Sequence, residues 1–251
     1  MSKIKVVAIN RRSIRNTLFA VWLMLPMMAM AQQYDVPILG LELRPVIPSS
    51  LFEIHGVTMN AGLRSFTLTP EPAISGGASI RFKLSRIWNL ESGIYYTRRV
   101  YGTSFRDSAH TTVTDKFNVD NYEVPILGLI YIKLSKHWYV NNAFGLSLDF
   151  FPTDVQSPDN GTYVQKEARQ YWVLPALMAN IGAEYRTENK GYFYLGILYH
   201  RMLLPMGKAG IFYNDNGTLG SFITDLPGHY FAIDLKYFFP TKRSSIIDNG
   251  A

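Results

Sequence analysis

The sequence predicts an all-β protein, an antiparallel up-and-down transmembrane β-barrel of eight strands, with a ten-stranded barrel as the alternative. Three observations lead to this fold class. From residue 51 onward, apolar residues repeatedly alternate with small or polar ones, a period that is typical of strands with one apolar side. Several alternating stretches exceed ten residues, whereas strands of soluble sheets usually have about 5–6. The connections alternate between short and long, as they do in outer-membrane barrels.

The chain begins with a segment that is typical of a secretory signal peptide. Residues 1–31 contain five basic side chains and no acidic one, and an apolar run, TLFAVWLMLPMMAMA, ends at Ala31. A basic region, a short apolar run and a small-residue A-x-A site predict a signal peptide that is cleaved after Ala31. The apolar run is short for a helix that spans a bilayer, which argues against a membrane anchor.

The net charge of +6 comes from this same segment. With its five basic residues removed, 20 of the 25 Lys and Arg remain against 19 Asp and Glu. A nearly neutral mature chain gives no reason to expect a nucleic-acid partner. The sequence has no cysteine, which excludes disulfides and thiolate chemistry. No later stretch reaches the roughly 18 apolar residues of a spanning helix.

Residues 32–51 are predicted to be a periplasmic lead-in to the barrel. Their octapeptide YDVPILGL recurs as YEVPILGL at 122–129. In the first copy, Pro45 follows closely and leaves a run that is short for a tilted spanning strand. The ten-stranded alternative instead makes 36–44 the first strand and splits 52–68 into two strands at Met59-Asn60.

The barrel is predicted to occupy 52–240, with a tail at 241–251. Its eight strands are 56–65, 77–86, 88–102, 117–134, 137–151, 169–186, 191–203 and 229–239. In 137–151, for example, the even positions are mostly apolar and the odd ones small or polar. A soluble sandwich would bury such apolar faces against each other. The strand lengths, the aromatic residues near strand ends and the connection lengths favour a membrane barrel with its apolar faces toward lipid.

The connections predict which side of the membrane each strand end faces. The short ones fall at 86–87, 135–136 and 187–190, and the long ones cover 66–76, 103–116, 152–168 and 204–228. In outer-membrane barrels the short turns face the periplasm and the long loops face the exterior.

Four stretches of the chain resemble a known group of proteins. They are GGASIRFKLSRIWNLESGIYYTRR, NYEVPILGLIYIKLSKHWYVNNAFGLSL, ANIGAEYRTENKGYFYLGILYH and HYFAIDLKYFF. This order resembles the small outer-membrane barrels of Bacteroidota, often called porin-family or PorT-like proteins, over about residues 52–240. The stretch from Tyr122 to Pro125 and the aromatic last strand carry most of the likeness.

The resemblance implies the fold and an outer-membrane location in a Gram-negative bacterium, but no particular activity. It also implies the barrel assembly machinery as a partner, since the aromatic last strand of such proteins helps in its recognition. Members commonly end on that strand, whereas here the segment PTKRSSIIDNGA follows Phe239. A signal for assembly would therefore be internal.

No catalytic or cofactor motif is found, and the chain is predicted not to be an enzyme and to need no cofactor. None of the five histidines forms an H-x-x-x-H or H-E-x-x-H pair, so no metal site is predicted. The sequence has no G-x-S-x-G motif and no glycine-rich phosphate loop. An outer-membrane hydrolase or acyltransferase that uses a histidine with Ser or Asp remains a distant alternative.

Charged residues at inward positions predict a polar network in the lumen. Its members are Arg81, Lys83, Glu91, Arg99, Glu123, Lys133, Asp149, Glu184, His200, Asp234 and Lys236. An eight-stranded barrel is just wide enough for side chains to fill it, so buried charges of both signs must pair. This predicts a salt-bridged plug, with a narrow solute channel lined by the same charges as the alternative.

Function is then expected in the long loops, as on other rigid scaffolds. Candidate residues for contact with a partner are Asp154, Asp159, Tyr163, Lys166, Tyr213 and Asp215. The predicted role is structural or interactive, with outer-membrane lipid and with envelope or secretion-system proteins as partners. The alternative for these loops is that they are ordinary solvated segments.

Overall fold

The computed structural model describes residues 36–47, 56–85, 87–152, 156–159, 163–169, 171–215 and 217–240. The predicted signal peptide and the predicted C-terminal tail lie outside these residues. The described residues from Pro37 onward belong to one compact unit. No helix in this part of the chain is long and apolar enough to cross a membrane.

The described residues form strands in the following order. They are β1 (Ile38–Ile47), β2 (Val57–Ala61), β3 (Arg64–Lys83), β4 (Trp88–Arg106), β5 (Thr112–Lys133), β6 (Trp138–Phe150), β7 (Gln156–Asp159), β8 (Tyr163–Arg169), β9 (Val173–Arg186), β10 (Tyr192–Met202), β11 (Gly207–Asp215), β12 (Thr218–Leu226) and β13 (Tyr230–Phe238).

Within the described residues, eight of these strands form a closed antiparallel ring. Its order is β1-β3-β4-β5-β6-β9-β10-β13, and the pairing of β1 with both β13 and β3 closes it. Closure gives each strand of the ring a paired neighbour on both sides, as a wall that faces lipid requires. The predicted fold class, an eight-stranded antiparallel barrel, is confirmed.

The first strand of the ring is not the predicted one. Residues 38–47, expected in the periplasmic lead-in, form β1, in which Gly40 pairs with Phe238 on one side and Ser79 on the other. Pairing of β1 with β3 continues through Pro45, whereas pairing with β13 is interrupted there and resumes at Val46. The missing N–H of Pro45 therefore disrupts hydrogen bonding on one side of the strand only, and the proline is tolerated.

The residues expected as the first strand lie outside the ring. Val57–Ala61 is β2, and in the described chain it pairs with the start of β3 alone. The ten-stranded alternative placed a strand at 36–44 in the wall, and β1 (Ile38–Ile47) overlaps that strand. Its strand count was wrong. β1 and β2 pair with different parts of the same side of the long strand β3, so β2 adds no strand to the ring.

Three tight turns join wall strands, as predicted. Backbone hydrogen bonds close them: Leu84 N–H donates to Trp88 at 3.1 Å, Leu134 N–H to Trp138 at 2.9 Å, and Thr187 N–H to Gly191 at 3.1 Å. Gly191 has a φ of 81°, which a side chain would strain. All three turns lie at the same end of the barrel, called the tight-turn end below.

The segments expected as long loops are mostly β-structure. Residues 66–76 lie within β3, and 103–116 is the tip of a hairpin that β4 and β5 continue, with a turn at 107–111. The segments 152–168 and 204–228 contain β7, β8, β11 and β12, which form a second antiparallel sheet, called the upper sheet below.

The long strands β4 and β5 change their polarity part-way along their length. In β4, the half nearer the tight turn places apolar Ile94 outward and charged Glu91 inward. Beyond Tyr96 the pattern inverts, since Phe105 is buried inside and Arg98 is exposed outside. The first half matches a strand in lipid and the second a strand of a water-soluble sheet.

The same boundary appears on the neighbouring strand. Tyr96 on β4 packs beside Tyr122 on β5, with ring centroids 5.7 Å apart. Directly above them, Arg98 Nε lies 2.9 Å from Asp120 Oδ1. Tyrosines that give way to an ion pair mark the outer edge of the apolar band, since aromatic residues favour the membrane interface.

Above this boundary the inward side chains form an apolar core. Its members are Phe66, Leu68, Tyr101, Phe105, Phe117, Val119, Phe151, Leu174, Ala176, Met202, Met206, Ala209, Ile211, Tyr213, Phe222 and Leu226. Wall strands and the upper sheet both contribute to it. Phe105, for example, lies 5.2 Å from Tyr213 and 6.4 Å from Phe222, measured between ring centroids.

Candidate functional site: the filled barrel interior

The structure buries most of the side chains expected in the lumen. Arg81, Glu91, Arg99, Glu123, Asp149, Glu184, His200, Asp234 and Lys236 are buried. The other two are placed differently: Lys83 and Lys133 are exposed. Each is the last residue of its strand at the tight-turn end, where a long cationic side chain reaches water.

Two fully buried charged residues of the interior were not predicted from the sequence. Glu42 and Arg44 on β1 are buried among the lumen charges. They were overlooked because β1 was taken for a lead-in. Their signal was present in the sequence, since Leu39, Leu41 and Leu43 are outward and exposed while the residues between them are buried.

At the tight-turn end of the lumen, Arg81 is the central cation. Its Nη2 lies 2.7 Å from Glu91 Oε2, and its Nη1 lies 2.6 Å from Glu184 Oε2. Arg186 Nε reaches the other oxygen of Glu184 at 2.5 Å. The guanidinium of Arg81 also stacks 3.7 Å from the centroid of the Phe238 ring, so ion pairs and a cation–π contact hold it.

In the middle of the lumen, Lys236 on β13 contacts three carboxylates. Its Nζ lies 2.6 Å from Glu91, 3.2 Å from Asp234 and 3.4 Å from Glu42. Glu42 also accepts a hydrogen bond from Arg44 Nε. One ammonium therefore joins carboxylates from three different strands.

Nearer the apolar core, the carboxylate of Glu123 on β5 is contacted by cationic and hydroxyl groups from several strands. Arg44 Nη1 lies 3.3 Å away and Arg99 Nη2 lies 3.4 Å away. Thr97 and Tyr230 donate hydroxyl hydrogen bonds to it at 2.8 and 2.9 Å. Glu123 belongs to the second copy of the repeated octapeptide, so that copy supplies a hub of the interior.

These contacts form one continuous chain of groups that alternate in sign. Its order is Arg186, Glu184, Arg81, Glu91, Lys236, Glu42, Arg44, Glu123, Arg99 and Asp149, and the imidazole of His200 contacts Asp149 at its end. It runs from the tight-turn end to the base of the apolar core, where Arg99 Nη1 contacts Met206 Sδ at 2.6 Å. Such pairing is what allows charges to be buried in a narrow interior.

Three residues of this ion-pair series are of the types that bind metal ions. Ligand atoms of Glu123, Asp149 and His200 lie within 4.8 Å of one another. However, Arg99 Nη2 already approaches both carboxylates, at 3.4 and 3.3 Å. The guanidinium supplies the positive charge there, so a divalent cation would have to displace it.

The same place also contains the residue types of a hydrolase triad, but not its geometry. Ser147 Oγ donates to Asp149 Oδ1 at 2.8 Å, and His200 Nε2 lies 3.3 Å from that oxygen. The hydroxyl thus contacts the carboxylate rather than the imidazole that would take its proton. Both Ser147 and His200 are buried, which hinders access by a substrate.

The residues expected to contact a partner are spread over the upper sheet. Asp159 ends β7, Tyr163 and Lys166 lie in β8, and Asp215 ends β11, whereas Asp154 is outside the described residues. Tyr213 is a correction: it is buried and packs in the apolar core, because its position on β11 faces inward.

Comparisons with known proteins agree with the fold. Neither a protein-family model nor a curated protein matches the chain. The structure is similar to the outer membrane protein OprG from Pseudomonas aeruginosa, with a TM-score of 0.52 and 12% identity over 82% of this chain and 96% of OprG. The COG4313 outer membrane channel from Pseudomonas putida F1 aligns at 10% identity over 83% and 98% of the two chains, but its TM-score of 0.24 carries no argument.

The likeness to OprG shows the fold and nothing finer. The chain has the fold of an outer-membrane β-barrel protein, with a closed antiparallel ring and an apolar outer surface. The predicted likeness to the Bacteroidota barrels stays a prediction.

Proposed function

We propose that this chain is a non-enzymatic outer-membrane barrel of a Gram-negative bacterium, related to the small barrels of Bacteroidota, with an interaction role in the envelope. Export by the signal peptide and insertion by the barrel assembly machinery would place its tight turns in the periplasm. The upper sheet would then face the exterior, where it would contact envelope or secretion-system proteins.

The observation that carries this proposal is the filled interior. Ion pairs between strands occupy the lumen from the tight-turn end, and the apolar core fills the interior toward the opposite end. A conducting path needs space along the axis that a solute or ion can pass through. The interior therefore favours a closed scaffold, and a scaffold leaves function to its exposed surfaces.

Planar-bilayer recording of the purified full-length protein tests the closed interior. A closed scaffold gives no discrete conductance steps, whereas a general porin recorded in the same bilayers gives them. Reproducible steps of one size, proportional to the amount of protein added, would overturn the closed-lumen part of the proposal.

An apolar patch on the upper sheet supports the interaction role. Phe212 on β11 and Leu219 and Ile223 on β12 are exposed by 42%, 79% and 51%. They share the outward face, because Phe212 pairs with Ser221, which lies between the other two. Apolar residues grouped on a surface that faces water commonly mark a site of protein contact.

Charged residues separate this patch from the part of the wall that would face lipid. Lys208 Nζ lies 3.5 Å from Asp225 Oδ1 at the base of β11 and β12. The patch lies farther along both strands, beyond this pair. Contact with hydrocarbon therefore does not account for its apolar character, and a protein partner does.

In-cell photo-crosslinking tests the patch. We expect a crosslinker at Leu219 to capture a discrete envelope protein, and the combined change Leu219→Ser and Ile223→Ser to abolish capture from a neighbouring position. Leu63, which is 64% exposed in the turn between β2 and β3, provides the matched control. Equal capture from both positions would refute a specific patch.

Fractionation tests the location. The protein should be recovered with outer membranes, and its band should shift on a gel between unheated and boiled samples. A soluble periplasmic protein without that shift would contradict the outer-membrane proposal.

A further inference from the structure

A groove of about 700 Å³ lies on the outside of the barrel near Met202, the last residue of β10. Its lining includes Leu177, Arg201, Leu203, Thr224, Asp225 and His229. These residues come from β9, from the end of β10 and the turn after it, and from the end of β12 and the linker that leads into β13.

The groove forms because two neighbouring wall strands differ in height. Pairing between β10 and β13 stops at His200 and Tyr230, whereas β10 continues to Met202. The linker 227–229 takes the place that a strand would have occupied. The last residues of β10 therefore have no paired strand on that side, and the groove lies there.

The linker that borders the groove is held in place. Tyr101 donates its hydroxyl hydrogen bond to the carbonyl oxygen of Pro227 at 2.7 Å. A Cβ on Gly228 would lie 2.3 Å from Met202 Sδ, so the linker backbone packs closely against β10. The groove is thus a preformed feature of the wall.

The lining has one apolar and one cationic part. Leu177 pairs with Arg201 across β9 and β10, and Leu203 is exposed beside them. Arg201 supplies the cationic part, and the imidazole of His229 lines the groove with it. The carboxylate of Asp225 lies within 3.5 Å of Lys208, which offsets its charge. This combination suits an amphipathic molecule with an anionic head.

The height of the groove matches the boundary of the apolar band. Below Arg201, the outward residues of β10 are Tyr199, Ile197 and Leu195. Tyr199 stacks on Phe231 with ring centroids 4.8 Å apart. An outward arginine directly above an aromatic pair therefore lies where lipid headgroups meet water.

We infer that this groove binds the phosphorylated headgroup of an outer-leaflet lipid. Arg201 and His229 contact the phosphate, and an acyl chain runs down the wall past Leu177. This inference rests on the proposed outer-membrane location. It adds a specific lipid site to a wall that would otherwise contact lipid without selection.

Native mass spectrometry of the purified full-length protein in detergent tests the inference, with lipid A as the probe. Lipid A with its phosphates should bind, and its dephosphorylated form should bind about tenfold more weakly or worse, as expected for the loss of a charge-assisted contact. Inorganic phosphate alone should not compete at millimolar concentration. Equal binding of both lipid forms would overturn the inference, and so would full competition by free phosphate.

Arg201→Gln should lose the preference for phosphate, while Arg98→Gln should keep it. Arg98 is the matched control, because it is an outward arginine at the same boundary, beside Asp120, and does not line the groove. Retained preference in Arg201→Gln would refute the assignment. His229→Gln serves the same purpose if Arg201→Gln does not give a heat-modifiable band. Because binding is measured in detergent, a failed lipid site and a failed outer-membrane location give separate results.

Discussion

Replacement of Arg81 by Met should strongly destabilise the barrel. The side chain is almost completely buried, with 1% of its area exposed, and it contacts Glu91 and Glu184 at 2.7 and 2.6 Å. Met fills a similar volume without charge. The two carboxylates would then remain buried with fewer cations to offset them, and that desolvation has no compensation.

The magnitude follows from the partners that remain. Removal of one member of a buried ion pair usually costs about 3–5 kcal/mol. Glu91 keeps Lys236 at 2.6 Å and Glu184 keeps Arg186 at 2.5 Å. Because each carboxylate retains one cation, the lower end of the range applies, about 3 kcal/mol. That corresponds to roughly a hundredfold change in the ratio of folded to unfolded protein.

Urea unfolding in lipid vesicles, followed by tryptophan fluorescence and by heat-modifiable mobility, measures the effect. The matched control is Lys136→Met, which removes an exposed pair: Lys136 and Glu188 have 77% and 70% of their side chains exposed and lie 3.0 Å apart. The control should leave the midpoint unchanged. A double change of Arg81→Met and Glu184→Gln should lose less than Arg81→Met alone. Equal midpoints for Arg81→Met and the control would refute a buried ion network.

Three further predictions concern other parts of the molecule. Gly145→Ala should destabilise the barrel by about 1–3 kcal/mol, because its Cβ would lie 2.0 Å from a carbonyl oxygen of β5, while Gly128→Ala, whose nearest contact is 3.8 Å away, should be tolerated in the same urea assay. Phe105→Ala should cost the apolar core about 3–5 kcal/mol and speed amide exchange in the hairpin of β4 and β5, and unchanged exchange there would contradict the core. The pKa of the Glu188 carboxyl lies below its usual value because Lys136 donates a hydrogen bond to it, so Lys136→Met should raise that pKa in an NMR titration.

The alternation of apolar and polar residues was sufficient to predict the barrel. It worked because lipid outside and a narrow polar interior impose opposite demands on the two faces of each strand. The inward positions of Arg81, Glu123 and Asp149 followed from that alternation alone. Their partners did not, because pairing across the lumen depends on ring order and shear, which local pattern does not encode.

The first strand and the hairpins were mispredicted for two different reasons. For β1, Pro45 was taken as a strand breaker, but a proline in a wall strand interrupts only the ladder on its N–H side. For the hairpin of β4 and β5, the prediction assumed that a wall strand has its apolar residues on the outer face of the barrel. Beyond Tyr96 and Tyr122 these strands continue with their apolar residues on the inner face. Because the apolar and polar faces are exchanged there, residues 103–116 were predicted to be a loop.

The inversion of polarity along the strands fixes how deeply the molecule is immersed. Side chains on one face of a strand are about 6.6 Å apart along it, so a shift by one such step would place the Arg98–Asp120 pair in hydrocarbon or Tyr96 well into water. Neither is favourable, and every strand with this inversion resists the shift in the same direction. A bilayer thicker than the apolar band should therefore thin locally around the protein, while the depth at which the protein lies in the membrane stays the same.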